Sequence, residues 1–276
     1  MNEKHHESIF RIMFLVIQEV WRNRKRILKL ALFEKKAKQG GMVLGSIWDF
    51  LNPALQIFVY WFVFSVGLKM TSMRGEVPYS LWMMSGILPW FWINGSIVLA
   101  TNSICVSSSI LQNIKFSLAS VPVKAVVIEW INHLWTICIL VPVMFLLGVH
   151  PRWSMLGVFY YMFAGGCFLV AFGIFSSAIN AVFRDFLQIL NPILRLLFYV
   201  SSVIWSIDSL APKMQTILRL NPITYIIEGY RNSLLYSVGI FENIGSVIYF
   251  WIFVFALYAI ACKIHWRLRK NFIDVI

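Results

Sequence analysis

Ser206-Ile207-Asp208-Ser209-Leu210-Ala211-Pro212-Lys213-Met214-Gln215-Thr216-Ile217-Leu218-Arg219-Leu220-Asn221-Pro222-Ile223-Thr224-Tyr225-Ile226-Ile227-Glu228-Gly229-Tyr230-Arg231-Asn232-Ser233-Leu234-Leu235-Tyr236 occupies the place of a loop between two apolar stretches and does not read like one. Ile217, Leu218, Leu220, Ile223, Tyr225, Ile226 and Ile227 call for burial. Asp208, Lys213, Arg219, Glu228 and Arg231 call for water or partners, and Pro212 and Pro222 break any continuous span. The pattern suits short half-helices lying in or dipping into a membrane face. Backbone at that depth must be buried in protein or line a wet cavity. The segment therefore predicts a polytopic protein with an opening to control, rather than an anchor.

Working outward, the composition agrees. Of 276 residues, 59% are hydrophobic and 13% charged, and the mean hydropathy is +0.74. A soluble domain carries about 25% charged residues. The net charge of +12 is what cytoplasmic basic residues and anionic lipid would produce, so it does not imply nucleic acid. Cys105, Cys138, Cys167 and Cys262 are scattered through apolar stretches with no metal-ligand spacing, which excludes a disulfide framework or a metal centre as an expectation. The first apolar run, Ile9–Trp21, contains Arg11 and leads into Arg22, Arg24, Lys25 and Arg26. It lacks a small-residue cleavage site, so a signal peptide is not expected.

Six spans are predicted, near Leu51–Leu68, Leu81–Ile104, Val126–Leu147, Leu156–Ala178, Ile189–Ile207 and Val247–Cys262. A cytoplasmic amino terminus places most Lys and Arg inside, leaving Lys69, Arg74, Arg152, Lys213, Arg219 and Arg231 outside. Both termini are then cytoplasmic and the opening segment is on the outer face. Phe10, Met13, Phe14, Ile17 and Trp21 recur at helical spacing, which predicts a helix lying in the inner interface. Such a helix could equally pack on a partner. The organisation expected is one 1–276 transmembrane domain. It comprises a cytoplasmic or interfacial region over 1–48, the six-span region over 49–264 and a cytoplasmic tail over 265–276. The fold class is all-α: six transmembrane helices, an amino-terminal interfacial helix, and outer re-entrant half-helices between spans 5 and 6.

Leu-Asn-Pro occurs three times, at Leu51-Asn52-Pro53, Leu190-Asn191-Pro192 and Leu220-Asn221-Pro222. Asn caps a helix and Pro suits its first turn, so each is read as a helix start. Gly40 and Gly45 have nucleotide-loop spacing, but Ser46-Ile47 stand where Lys and a hydroxyl residue would be needed. If ATP drives this protein, another chain binds it. No nucleophile, base and orienter assemble, and no catalytic or metal residues are assigned. Glu129 and His133 share a helix face four residues apart. They form either a proton relay or a polar helix–helix contact. Arg195, within the fifth span, suits a bundle-interior position. The aromatic residues Phe58, Tyr60, Trp61, Phe62, Phe64, Phe198 and Tyr199 either face lipid or line a path for sugar rings or isoprenyl chains.

These residues resemble a known family. Leu44-Gly45-Ser46-Ile47-Trp48-Asp49-Phe50-Leu51-Asn52-Pro53 looks like the Leu-Gly-x-x-Trp-x-x-Leu-Asn-Pro run of type-2 ABC permeases for polysaccharide export. Arg184-Asp185 matches that family's Arg-Asp before the fifth span. Leu220-Asn221-Pro222 and Glu228-Gly229-Tyr230-Arg231-Asn232 match its outer segment, and the likeness covers nearly the whole chain. Ile226 to Ser233 looks most like the teichoic acid translocation permeases of Gram-positive bacteria. One departure is Lys38-Gln39-Gly40-Gly41, where many relatives carry an Arg-Tyr-Arg-like run.

The resemblance implies a non-enzymatic subunit of an exporter in the bacterial cytoplasmic membrane. It would be a homodimer bound to two ABC ATPase subunits, which hold the ATP and Mg. Ser107–Val123 would be the coupling helix, with Leu111, Asn113, Ile114, Lys115 and Phe116 on the ATPase. A channel would be lined by Tyr60, Trp61, Phe64, Arg195, Phe198 and Tyr199. Asn221, Pro222, Tyr225, Glu228 and Arg231 would form an outer gate. An inner basic collar of Arg22, Arg24, Lys25, Arg26, Lys35, Lys36 and Lys38 would attract pyrophosphate or anionic polymer, although solvated inside charge also accounts for it. The expected cargo is a polyprenyl-pyrophosphate-linked cell-wall polymer such as wall teichoic acid. Alternatives are O-antigen or capsule polysaccharide, another lipid or drug, or an ion-coupled secondary transporter. A membrane transferase would need acidic or His residues clustered at one interface, and the outer acids are dispersed.

Overall fold

The computed structural model describes residues 8–40, 44–67, 69, 72–73, 77–107, 117–146, 148–150 and 152–275. Its elements are α1 (Ile9–Gln39), α2 (Trp48–Trp61), β1 (Ser72–Met73), β2 (Val77–Pro78), α3 (Tyr79–Val106), α4 (Ser120–Leu146), α5 (Gly157–Val182), α6 (Phe186–Val200), α7 (Pro212–Arg219), α8 (Pro222–Arg231) and α9 (Ile244–Val275). The two strands form only a small antiparallel hairpin. A π-helical turn, Phe62–Gly67, extends α2, and another, Asn232–Tyr236, extends α8.

Five described helical stretches are long and apolar enough to cross a membrane: Trp48–Gly67, Tyr79–Val106, Ser120–Pro142, Trp153–Val182 and Ile240–Arg269. The sixth expected span is different. α6 has 15 residues, about 22 Å of helix against a hydrocarbon core of about 30 Å. It stops at Val200, short of the expected Ile207, because Ser202 turns left-handed at a φ of 59°.

α3 is apolar around its whole circumference and is the most buried of the five long apolar stretches. It packs against α4, α5 and α8, and α9 packs on α5. α2 and α6 pack on α3 from outside this core. α1 is amphipathic well beyond the expected Phe10–Trp21 stretch. Ile12, Met13, Val16 and Ile27 are buried, while Phe10, Phe14, Trp21 and Phe33 are exposed. It is tied to the bundle by ion pairs Lys35–Asp49 (2.9 Å), Lys124–Glu34 (2.5 Å) and Arg269–Glu19 (2.9 Å). Ser117 also donates to Glu19 (2.6 Å). The amino-terminal helix, the start of α4 and the end of α9 therefore share one end of the molecule.

Only one of the three Leu-Asn-Pro motifs starts a helix. Asn221 caps α8, its Oδ1 accepting from the Ile223 amide at 3.0 Å, with Pro222 in the first turn. Pro53 and Pro192 lie inside α2 and α6, past the first turn. There each removes one backbone hydrogen bond to the residue four before it.

Candidate functional site

The segment that opened the sequence reading divides into an exposed helix and a buried one. On α7, Ile217 and the following Leu220 are exposed, contrary to the burial expected of them. α8 is the opposite: Ile223, Thr224, Ile226, Ile227, Gly229, Tyr230 and Arg231 are all buried.

Arg231 has 0% exposure, although it is a charged residue that sequence alone puts in water. Its guanidinium spends its donors on backbone. Nη1 donates to Ser202 O (2.5 Å) and Oγ (2.9 Å), Nη2 to Val203 O (2.6 Å) and Nε to Trp82 O (3.4 Å). Nη1 also pairs with Glu228 Oε1 at 2.9 Å, and the cation lies 3.5 Å from the Trp82 ring centroid. Glu228 Oε1 in turn accepts from Ser202 Oγ (2.5 Å). Apart from Trp82 O on α3, the carbonyls satisfied belong to the turn that ends α6. Tyr79 donates its hydroxyl to Ile204 O (2.9 Å), and Asn221 Nδ2 donates to Ser201 Oγ (2.8 Å). A helix stopping inside the bundle leaves carbonyls that water cannot reach, and these side chains replace the missing partners.

Two glycines make the arrangement possible. A Cβ on Gly86 would stand 2.2 Å from Arg231 Nη2, and one on Gly229 would stand 2.1 Å from the Tyr161 ring. The remaining outer residues are packed too. Tyr225 stacks on Phe250 (centroids 4.5 Å apart), and its hydroxyl meets that of Tyr160 at 3.1 Å. Of the five expected gate residues, Arg231 is thus a buried brace, while Asn221, Pro222, Tyr225 and Glu228 are half-buried. The sequence places Glu228 and Arg231 one helical turn apart but does not bring Ser202, Tyr79, Trp82 and Gly86 to them. No local signal marks them, since they lie far from Arg231 along the chain.

The expected channel residues separate into three environments. Tyr60 is half-buried against Phe198 (centroids 5.6 Å), and Phe64 against Tyr79 (5.8 Å). Phe198 itself is buried at 6% exposure between Tyr60 and Trp90, inside the chain's own core. Leu190, Leu194 and Phe198 recur every four residues and form the inward stripe of α6. Arg195 falls off that stripe and is exposed with Tyr199, which corrects the bundle-interior expectation. Trp61 lies on another side of α2, in a trough toward α4. Around α2 and α6 the exposed apolar residues Leu55, Val59, Phe62, Ile189, Ile193 and Leu196 leave a broad uncovered face.

Within the bundle, His133 is buried and stacks on Trp92 (centroids 4.7 Å, planes 10° apart). Its Nε2 is 2.7 Å from Tyr230 Oη, which ties α4 to α8 beside the Arg231 brace. The ring is therefore a polar helix–helix contact, one of the two roles expected for it. Glu129 takes its hydrogen bond from Asn132 (3.4 Å), and the structure shows no Glu129–His133 bond among the described residues. Arg184 and Asp185 form the exposed turn between α5 and α6 without an ion pair among the described residues.

In the basic collar, Arg22, Arg24, Lys25, Arg26, Lys36 and Lys38 are exposed along α1. Lys35 is half-buried between Asp49 and Asn132. Leu111, Asn113, Ile114, Lys115 and Phe116 lie outside the described residues. The described residues hold no cluster of three or more His, Cys, Asp or Glu arranged for a metal.

Comparison with known proteins bears directly on this architecture. The O-antigen export system permease protein RfbA of Klebsiella pneumoniae is 26% identical over 243 residues, covering 87% of this chain and 91% of its own. The protein of the same description from Myxococcus xanthus is 26% identical over 222 residues, covering 79% and 84%. The family profile described as ABC-2 type transporter matches residues 33–235, from the end of α1 through the brace and into the turn after α8. With most of the chain matched, this protein is a member of the ABC-2 type transporter family.

Proposed function

We propose that the chain is the membrane subunit of an ATP-driven exporter of a lipid-linked polysaccharide. The observation that carries this is the near full-length similarity to permeases named for O-antigen export. It favours an O-antigen-like glycan over the teichoic acid suggested by the Ile226–Ser233 wording. The chain does no bond chemistry and holds no cofactor. ATP and Mg belong to an ABC ATPase present in two copies.

The uncovered α2 and α6 face supports a homodimer of this chain, because an apolar surface of that breadth calls for a partner or lipid. In that dimer Arg195 and Tyr199, both exposed, border the path, and Tyr60 and Phe64 stand behind them. Phe198 joins the lining only if α6 rotates. α6 forms the short fifth crossing, completed by α7 and α8 as an outer re-entrant cap. Both termini are cytoplasmic in the bacterial membrane. Leu111 to Phe116 couples to the ATPase, whose nucleotide cycle moves α2 and α6 apart.

Reconstitution with the ATPase tests the proposal by measuring translocation of polyprenyl-linked O-antigen, teichoic acid and a small amphiphilic drug. Transport of the O-antigen substrate is expected, with Phe116→Asp hydrolysing ATP without transport. Transport of the drug alone would overturn the substrate class. Activity without the ATPase would overturn the energy source.

A further inference from the structure

A second feature of α2 lies away from its contact with α6. Ala54, Phe58 and Trp61 of α2, Met84 of α3 and Leu140 of α4 line an apolar trough of about 570 Å³. At the α2 amino-terminal end it meets a polar cavity of about 700 Å³, and Pro53, Leu88 and Thr136 wall both. The two together make one amphipathic site, with a charged compartment continuing into an apolar one.

The charges in the polar compartment are largely paired. Lys35 is held by Asp49 and Asn132, and Glu34 by Lys124. Lys38 and Glu129 remain, one cation and one anion near enough to act on each other; Glu129 accepts from Asn132 (3.4 Å), and neither is in an ion pair within 4 Å among the described residues. The Glu129 carboxylate is lodged against Gly95 of α3, where a Cβ would come within 3.0 Å of it. The Trp92 indole N–H borders the same cavity, is 2% exposed, and has no hydrogen-bond partner among the described residues.

This balance discriminates among amphiphiles. With Lys124 counted beside its partner Glu34, the cavity and its rim carry Lys35, Lys38 and Lys124 against Glu34, Asp49 and Glu129, so the charges balance. A pyrophosphate headgroup brings several negative charges to a balanced site whose two groups outside ion pairs are one cation and one carboxylate, and is disfavoured. A headgroup with one phosphate and one primary ammonium matches the two unpaired groups, with the phosphate at Lys38 and the ammonium at Glu129. The apolar trough then takes an acyl chain along α2, where dispersion and burial against Phe58 and Trp61 replace contact with bulk lipid.

We propose that the α2–α3–α4 site binds phosphatidylethanolamine, a membrane lipid distinct from the exported substrate. It is a resident lipid that wedges α2 against α4. The site is separate from the α6 side of α2, so the proposal stands whichever polymer is exported.

The test uses the full-length chain, purified with its ATPase in mild detergent, delipidated, and transferred to nanodiscs of mixed phosphatidylethanolamine, phosphatidylcholine and phosphatidylglycerol. Native mass spectrometry after detergent release reads the lipid retained. The expected result is phosphatidylethanolamine retained about tenfold over phosphatidylglycerol, a preference of about 1.4 kcal/mol. Glu129→Gln is expected to remove that preference, and Ala54→Trp, which fills the trough, to remove retention. Lys38 is exposed, so Lys38→Gln leaves the fold intact and is expected to weaken retention even if Ala54→Trp fails to fold. Equal retention of all three lipids by the wild type would overturn the proposal. Retention unchanged in both Glu129→Gln and Lys38→Gln would do the same, as would recovery of a polyprenyl phosphate from the site instead.

Discussion

The molecule holds two clusters of charged side chains, and they are used in opposite ways. In the first, Arg231 and Glu228 are joined to each other and to the α6 turn, and the guanidinium has no exposed surface. In the second, Lys38 and Glu129 border the polar cavity, neither in an ion pair within 4 Å among the described residues. The difference is one of geometry. Arg231 meets carbonyls that a terminated helix could not satisfy alone, so its charge is consumed by structure. Lys38 and Glu129 border a cavity, where the proposed lipid headgroup would meet them.

The sharpest way to break this comparison is Arg231→Ala. It strands Ser202 O, Val203 O and the Glu228 carboxylate together, and is expected to cost about 3–5 kcal/mol. Thermal unfolding of the purified protein checks it, and a loss under 1 kcal/mol would show that the cluster is not a brace. Arg231→Lys should recover little, because one ammonium cannot replace a planar fork serving several acceptors. A Glu228→Arg, Arg231→Glu exchange should also fail, since the carbonyls would then face a carboxylate.

Next in size is Phe198→Ala, expected to lose about 3–5 kcal/mol as a core truncation. A purely transport-specific loss with unchanged stability would instead place Phe198 in the path. Gly86→Ala pushes a methyl into the guanidinium and Val203 O, for a cost of about 1–3 kcal/mol.

His133→Phe keeps the stack on Trp92 but leaves Tyr230 Oη unpaired, at about 1–3 kcal/mol. If His133 relayed protons, export would vanish at full stability, and that pattern would revive the ion-coupled alternative. The smallest effect on stability belongs to Arg195→Ala. The side chain is exposed, so unfolding should shift by no more than about 0.5 kcal/mol, while export falls if the α6 face borders the path.

Much of this was legible in the chain. Apolar length gave the membrane class, and mixed charge and proline marked 206–236 as something other than a loop. The periodicity of Phe10 to Trp21 gave the amphipathic helix. What was not legible depends on distant partners. Ile189–Ile207 has the hydropathy of a span, and nothing local shows that Ser202 turns it back. Arg195 was assigned inward by the cost of charge in lipid, yet the four-residue stripe of Leu190, Leu194 and Phe198 already leaves it outside. Asn-Pro reads as a helix start at all three positions. Only Asn221-Pro222 behaves so, because helices α2 and α6 begin earlier at residues that carry no cap.

The sequence by itself determined that this is a helical membrane protein with an unusual segment over 206–236, since hydropathy and proline act locally. Tertiary structure alone decided that Arg231 is buried, that α6 stops short of a full span, and that Lys38 and Glu129 share a cavity. Each of those outcomes depends on hydrogen-bond partners and free volume supplied from other helices. A buried charge is stable only where such partners converge, and convergence is not written in any one stretch of chain.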